Sequence, residues 1–419
     1  MKAFAWLLLV ITIGLLPHSA CGLAWTTDGL YRARRPCYRA GLFNPDNSSV
    51  DLIGLTDDTN YRIAQFLDVE HELLSLYCHV NLMGEIQGTE RWHTRLRVKQ
   101  LYFERDFLTN WNLTAGRLIL RWGTGYAFNP TDFVAVDKDI ADPENKEKGI
   151  DGNDMIKVEY FGETCSIAAC LTTCLDPDTG PDQTGLAFRL YRRLYDADVS
   201  LAALFKGHET PIWGPNFATV LGDRLEIHGE ASFQRGDYGL YHKVLGNEYQ
   251  LFDERPFEQL RRTSDKYFAQ YLVGLRYTLP RDITWVLEYF HRDQGYSVAE
   301  WQRLVDYAGY LRASLQGTHA PLAALNLAWN LDVFSARGTM QNYVVTYFGS
   351  PANKTVELEL ALLVNTTDIS AVWLPQVSVS PGKRVTLFAR GAILSGVRDS
   401  EFGAAPQSRS VDAGIRFKP

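Results

Sequence analysis

From residue 60 to the C-terminus, apolar and polar positions alternate with a period of two. In residues 224–233, RLEIHGEASF, one face carries Leu225, Ile227, Gly229, Ala231 and Phe233. The other carries Arg224, Glu226, His228, Glu230 and Ser232. Ile156, Val158 and Tyr160 oppose Lys157 and Glu159, and Ile283, Trp285, Leu287 and Tyr289 oppose Thr284 and Glu288. Near the end Val411, Ala413, Ile415 and Phe417 oppose Asp412 and Arg416. Successive side chains of a strand point to opposite faces, so this pattern predicts strands with one oily and one charged face.

The strand-like segments are 61–71, 74–86, 92–106, 110–122, 153–161, 164–174, 184–193, 197–206, 222–233, 268–279, 282–292, 325–336, 341–349, 354–364, 370–380, 383–394 and 408–417. At about nine to twelve residues they suit a tilted membrane-crossing strand, where a soluble sheet prefers nearer five or six. Aromatic residues gather near segment ends, as girdles at two membrane interfaces require. Charges of both signs on the opposite face suit a water-filled lumen. The expected fold is all-β, a single antiparallel transmembrane barrel of about 16 strands, within a range of about 14–18.

Longer insertions fall at 133–152, 207–221, 234–267 and 293–324. In the last, Trp301, Leu304, Val305, Ala308 and Leu311 recur at helical spacing, with Ser297 and Glu300 placed as a capping box. One short loop helix is expected there, resting on a barrel mouth, folded into it, or decorating the outside. Residues 25–58 are poorly patterned and read as an N-terminal lead-in or plug, leaving 59–419 for the barrel.

The first residues change the picture by adding a compartment. Lys2 precedes the apolar run AFAWLLLVITIGLL, and Pro17, Ala20 and Ala24 follow, the layout of an export signal over residues 1–24. Cys21 behind Ser19 and Ala20 loosely resembles a lipoprotein site. Beyond this segment remain Cys37, Cys78, Cys165, Cys170 and Cys174, an odd set that leaves at least one thiol unpaired. Cys170 and Cys174, four apart on a strand, lie about 13 Å from each other, too far for a disulfide. They read as small buried hydrophobes.

The chain has 419 residues, 46% of them apolar, 22% charged and a formal net charge of −7. Its mean hydropathy of −0.18 excludes a polytopic helical membrane protein, and the composition excludes a disordered chain. The acidic balance argues against a nucleic-acid partner.

Residues 101–133, LYFERDFLTNWNLTAGRLILRWGTGYAFNPTDF, combine a strand, Gly-Arg, Trp-Gly-x-Gly and an Asn-Pro-Thr-Asp turn. EYFHRDQGY (288–296) and NTTDISAVWLPQVSVSPGKRVTLFARGAILSG (365–396) add a strand end and a closing meander broken by Pro. Together these segments resemble the bacterial outer-membrane porin-like barrels, and are most similar to the alginate-export and phosphate-selective porin group. That resemblance implies an outer-membrane barrel, with membrane lipid, a small polar solute and the barrel insertion machinery as partners. It leaves the oligomeric state open.

Within 110–122 the phase slips at Gly116, which suggests a β-bulge and places Arg117, Ile119 and Arg121 inside. Gly123 and Gly125 permit a sharp exit, and Pro130 with Asp132 ends the strand in a turn. The candidate lumen residues are Arg95, Arg97, Lys99, Arg117, Arg121, Asp132, Arg224, Glu226, His228, Glu230 and Glu288. The arginines either shape an anion-attracting constriction or pair with lumen carboxylates to fill space. Glu226 and Glu230 stand about 13 Å apart on a strand, beyond the spacing of paired catalytic carboxylates. The chain has no G-x-S-x-G, phosphate loop or H-E-x-x-H, so neither an enzyme, a cofactor nor a metal site is expected. The expected function is passive passage of small polar or anionic solutes. The alternatives are a plugged, ligand-binding surface barrel and a polysaccharide export barrel.

Overall fold

The computed structural model describes residues 23–42, 58–73, 76–89, 92–135, 151–173, 184–207, 210–236, 240–259, 265–334, 338–351 and 355–418. The expected export signal, with Cys21, lies outside these residues apart from Leu23 and Ala24, which open the first strand.

Closure is what the alternation makes: 18 strands among the described residues form one antiparallel sheet whose last strand pairs back onto its first. The wall begins with β1 (Leu23–Tyr38), β2 (Asn60–Leu73), β3 (Leu76–Gly88), β4 (Trp92–Leu108), β5 (Trp111–Leu118) and β6 (Asn153–Phe161). It continues through β7 (Cys165–Thr173), β8 (Thr184–Leu194), β9 (Ala197–Lys206), β10 (Ile212–Leu221) and β11 (Leu225–Arg235). A short hairpin, β12 (Leu240–His242) with β13 (Phe257–Gln259), stands outside the wall. The wall resumes with β14 (Tyr267–Leu279), β15 (Ile283–Arg292), β16 (Asn342–Gly349), β17 (Val356–Asn365), β18 (Ser370–Val379), β19 (Val385–Ser395) and β20 (Gln407–Phe417).

The wall thus holds 18 strands where about 16 were expected, for three local reasons. Of the expected strand 325–336, residues 325–334 are the end of a helix, α2 (Ala320–Phe334), because Ala323, Leu327 and Leu331 recur every four residues as its buried stripe, and 335–336 lie outside the described residues. β10 was hidden in an expected insertion by Gly214 and Pro215. A Cβ on Gly214 would lie 1.8 Å from the Ala231 carbonyl oxygen, so the wall needs glycine there. Residues 25–38, read as part of a lead-in or plug, belong to a wall strand, Leu23–Tyr38, paired with β2 over Leu23–Arg34. Its run of four arginine or proline positions from Arg32 to Pro36 masks the alternation.

Connections alternate between the two ends of the barrel. At one end all are short, such as Thr109–Asn110, Tyr195–Asp196 and Pro280–Asp282. At the other lie the long ones, including 119–152, 236–266 and 293–341. The outer face carries Leu96 at 66% exposure, Leu101 at 52%, Ile156 at 50% and Leu358 at 58%. Tyr61 stacks on Trp92 near the long-loop rim, and Phe107, Trp111 and Tyr160 cluster near the other. An apolar band between two aromatic girdles is the exterior of a membrane-crossing barrel.

Over the long-loop mouth the connections pack into an apolar cap. α1 (Val298–Ser314) has the expected capping box between Ser297 and Glu300, and buries Trp301, Leu304, Ala308 and Leu311 as its spacing predicts, together with Tyr307. The Trp301 indole donates to the Asp399 carbonyl at 2.7 Å, and Arg303 Nε donates to the Val244 carbonyl at 2.8 Å. These side chains share one core with the inward residues Phe290, Tyr343, Val345, Leu363, Leu374 and Leu394 of the wall. His242, held by burial at about 3 and therefore neutral, accepts from the Val244 N–H through Nδ1 at 3.0 Å.

One carboxylate fastens the cap. Glu401, in the one-turn helix α3 (Glu401–Ala404), is 3% exposed and accepts from Thr339 Oγ1 at 2.9 Å, Tyr343 OH at 2.8 Å and Asn365 Nδ2 at 2.9 Å. Burial raises its carboxyl above the ordinary value. Glu401→Ala orphans these buried donors at about 1–3 kcal/mol each. The expected result is faster proteolysis within 293–341, with heat-modifiable gel migration of the barrel retained.

Candidate functional site

After Leu118 the chain leaves the wall and crosses the lumen as an ordered segment, residues 119–135. Its far side chains reach β15 and β16, almost diametrically opposite β5 in the ring. Phe128 stacks on Phe290 with ring centroids 4.1 Å apart, and Tyr126 meets Tyr347 at 4.7 Å.

Two wall carboxylates hold this crossing by its backbone. Glu230, on β11 and 4% exposed, accepts from the N–H groups of Thr124 (2.5 Å), Gly125 (2.7 Å) and Thr131 (3.0 Å). It also accepts from Thr131 Oγ1 at 2.8 Å and Asn129 Nδ2 at 3.2 Å. Glu288, on β15 and 1% exposed, accepts from the N–H groups of Tyr126 (2.5 Å) and Ala127 (3.0 Å). His228 Nε2 lies 3.0 Å from the same carboxylate, and its Nδ1 lies 3.6 Å from Glu226. A buried carboxylate is tolerable when several donors converge on it.

The motif residues each have a task here. A Cβ on Gly123 would lie 2.9 Å from Glu230 Oε1 and 2.6 Å from Asn129 Nδ2, and one on Gly125 would lie 2.0 Å from the Phe128 carbonyl oxygen. Only glycine lets the backbone approach this closely. Asn129 donates to the Gly125 carbonyl at 2.8 Å, which closes the turn. Asp132 accepts from the N–H groups of Trp122 and Gly123 and from Arg121 at 3.0 Å. Asn216, on β10, donates to the Trp122 carbonyl at 3.0 Å and to Thr131 Oγ1 at 2.9 Å.

Arg121, Asp132, Glu226, His228, Glu230 and Glu288 therefore meet around one crossing. The other candidates stand elsewhere. Arg95 and Arg97 share an inward face of β4 opposite Glu85 and Met83, and Arg97 pairs with Glu85 at 3.3 Å and Asp151 at 3.5 Å. Lys99 is 2% exposed, its ammonium 6.0 Å over the Phe66 ring. Arg224 is an exposed turn residue between β10 and β11.

Arg117 corrects the expected phase. It pairs bidentately with Asp154 at 2.8 and 2.7 Å and occupies the ladder position of Leu101 on the outer face. Leu118 and Trp122, expected outside, are 7% and 3% exposed in an internal cluster with Met155 and Leu204. The register shift lies instead in β4, between Val98 and Gln100, where Lys99 is the extra residue of the bulge against β3. Gly116 keeps the ladder, and its φ of 130° lets it pass the Leu101 carbonyl, which a Cβ would meet at 2.2 Å.

Sequence reasoning missed Asn216, Thr131, Phe290, Tyr343 and Tyr347. The available signal was polar Asn216 between Pro215 and Phe217 in an otherwise apolar run. Glu230→Ala removes the acceptor of three backbone N–H groups, at about 1–3 kcal/mol for each orphaned donor. The crossing then loosens while the wall persists. The measurable outcomes are a changed unit conductance in planar bilayers and new protease cleavage within 119–135.

No family model matches the chain, and no curated protein matches it. Solved structures match its shape. OccAB1 of Acinetobacter baumannii matches with a TM-score of 0.57 at 8% identity, over 97% of this chain and 98% of that one. OccK11 (OpdR) of Pseudomonas aeruginosa matches with 0.54 at 9% identity, over 96% and 98%. Wzi of Escherichia coli matches with 0.53 at 11% identity, over 94% and 84%. Wzi is described as an outer membrane protein involved in group 1 capsule assembly and a carbohydrate-binding β-barrel. At these identities the likeness is one of fold, and the chain shares with all three a closed β-barrel architecture.

Proposed function

We propose that the chain is an outer-membrane channel for passive passage of small polar solutes, with anions favoured. The observation that carries this reading is the crossing 119–135, held rigidly across a lumen whose β1–β4 wall is charged. A fixed constriction beside charged rows selects by width and field, with no covalent step. The favoured sign follows from the outer half of β1–β4, where Arg32, Arg34, Arg62, Arg95 and Arg97 share the inward face. The fold shared with OccAB1 and OccK11 supports a channel, and the apolar outer band supports a membrane position. Of the motifs that resemble the alginate-export and phosphate-selective group, residues 119–133 form the crossing and Glu288 and Phe290 hold it, which supports placing the chain with that group.

A second reading has a specific observation behind it. The α1–α2 cap buries the long-loop mouth beside β14–β19 in one apolar core, as a plugged surface receptor would require. The Wzi likeness suits a saccharide ligand for that reading.

Planar bilayers separate the two. Stepwise ohmic conductance from folded, heat-modifiable protein is expected for the channel, and its absence favours the plugged receptor. For a channel, replacing both Arg95 and Arg97 by Ser is expected to move the reversal potential in a salt gradient towards cation preference. An unchanged potential removes these side chains from the selectivity path.

A further inference from the structure

The inner half of the β2–β4 wall carries a cluster that the crossing does not use. Glu70 on β2 stands directly opposite His79 on β3, and Asp68 lies two residues along the same inward face. His79 Nε2 is 2.5 Å from Asp68 Oδ1, and one donor atom from each of the three residues lies within 4.8 Å of the others. The His79 ring is 8% exposed and packs against the touching pair Tyr77 and Tyr102, with ring centroids at 6.4 and 5.2 Å, the Tyr102 contact edge-on. It is therefore pre-aimed.

A second, independent observation is the uncompensated charge. Among the described residues no lysine or arginine pairs with Asp68, Glu70 or the neighbouring Glu104, whereas Arg62 and Arg97 of the outer half both pair with Glu85. Glu104 receives only the amide of Asn112, at 2.8 Å, and that amide also reaches Asp106 at 3.0 Å. Crowded carboxylates whose charged neighbour is a single imidazole, with the Tyr77 hydroxyl donating to Glu70, favour a cation.

We infer that Asp68, Glu70 and His79 form a lumen-facing site for a divalent cation of the zinc class. One imidazole nitrogen and two carboxylates are donors of the type zinc accepts, at about 2.0–2.2 Å. Small rotations of the two acids close the 4.8 Å spread to that reach. Binding displaces the proton between His79 and Asp68, and three protein donors leave a coordination position open to water. The ion also cancels the two negative charges at this point of the wall. On the channel reading proposed above, it therefore makes the inner half more permissive to anions.

Calorimetry on untagged, metal-stripped barrel in detergent, titrated with zinc chloride, tests the site independently of conduction. The expected result is one ion per chain, with affinity at least tenfold weaker in Glu70→Gln and in His79→Gln and unchanged in His93→Gln. Glu70 is exposed, so its variant folds even if the His79 variant does not. Equal affinity in wild type and Glu70→Gln, or no binding at millimolar zinc, overturns the site. In planar bilayers the same zinc is expected to shift the reversal potential towards anions in wild type but not in Glu70→Gln. An equal shift in both overturns the assignment, whereas a barrel that binds zinc and never conducts sinks the channel reading alone.

Discussion

The constraint on which everything else depends is closure of the backbone ladder. Hydrocarbon offers no hydrogen bonds, so each strand must find partners on both sides, and only a ring satisfies the last strand. Here β1 supplies that closure by pairing with β2 over Leu23–Arg34 and with β20 over Gly29–Tyr38. Once the ring is closed, every wall residue faces either lipid or lumen. That division explains why large apolar side chains can lie half exposed along the outside. It also explains why the polar chemistry of the chain is gathered inside.

A ring of 18 strands is too wide for side chains alone to fill. The interior is filled in two chemically different ways. Against β14–β19 the wall is apolar, and the α1–α2 connection lays helices on it as in a soluble core. Against β10, β11 and the Glu288 position of β15 the wall is polar, and the filler is bare backbone held by Glu230, Glu288 and Asn216. Backbone N–H groups are the donors best matched to buried carboxylates in a chain segment without helix or strand partners. The glycines of the crossing follow from this, since any side chain would hold the backbone away from Glu230. Anchorage and composition are one requirement.

Much of the wall was legible in the sequence because alternation is a local property. Where it failed, something non-local intervened. β10 contains Gly214, whose small size answers to Ala231 on the next strand, and Pro215, which interrupts the ladder to β11 between Trp213 and Asn216 without changing its register. α2 alternates by chance over its second half, and its true period shows only when Ala323 is included. Arg117 was assigned to the wrong face because Gly116 was read as the slip, whereas the bulge belongs to β4. Glu230 and Glu288 were visible as inward charges. Their role as acceptors for a crossing segment depends on which strands stand opposite β5, and no local pattern encodes that. The same holds for Glu70 and His79, nine positions apart in the chain and joined only by the β2–β3 register.

The charged wall also has a direction. Along β1–β4 the long-loop half presents Arg32, Arg34, Arg62, Arg95 and Arg97, whereas the short-turn half presents Asp28, Asp68, Glu70 and Glu104. On the channel reading proposed above, an anion entering from the long-loop side would pass the arginines first and the acids after them. A pore that held it equally well throughout would trap it, and conduction requires binding strong enough to enter and weak enough to leave. Acids such as Glu85, which pairs with Arg62 at 2.8 Å and Arg97 at 3.3 Å, dilute the attraction at the outer end. The fixed charges on these four strands thus change sign between the long-loop end and the short-turn end. A solute carrying both charges would sit across that boundary, with its carboxylate towards the arginines and its cation towards Asp68 and Glu70.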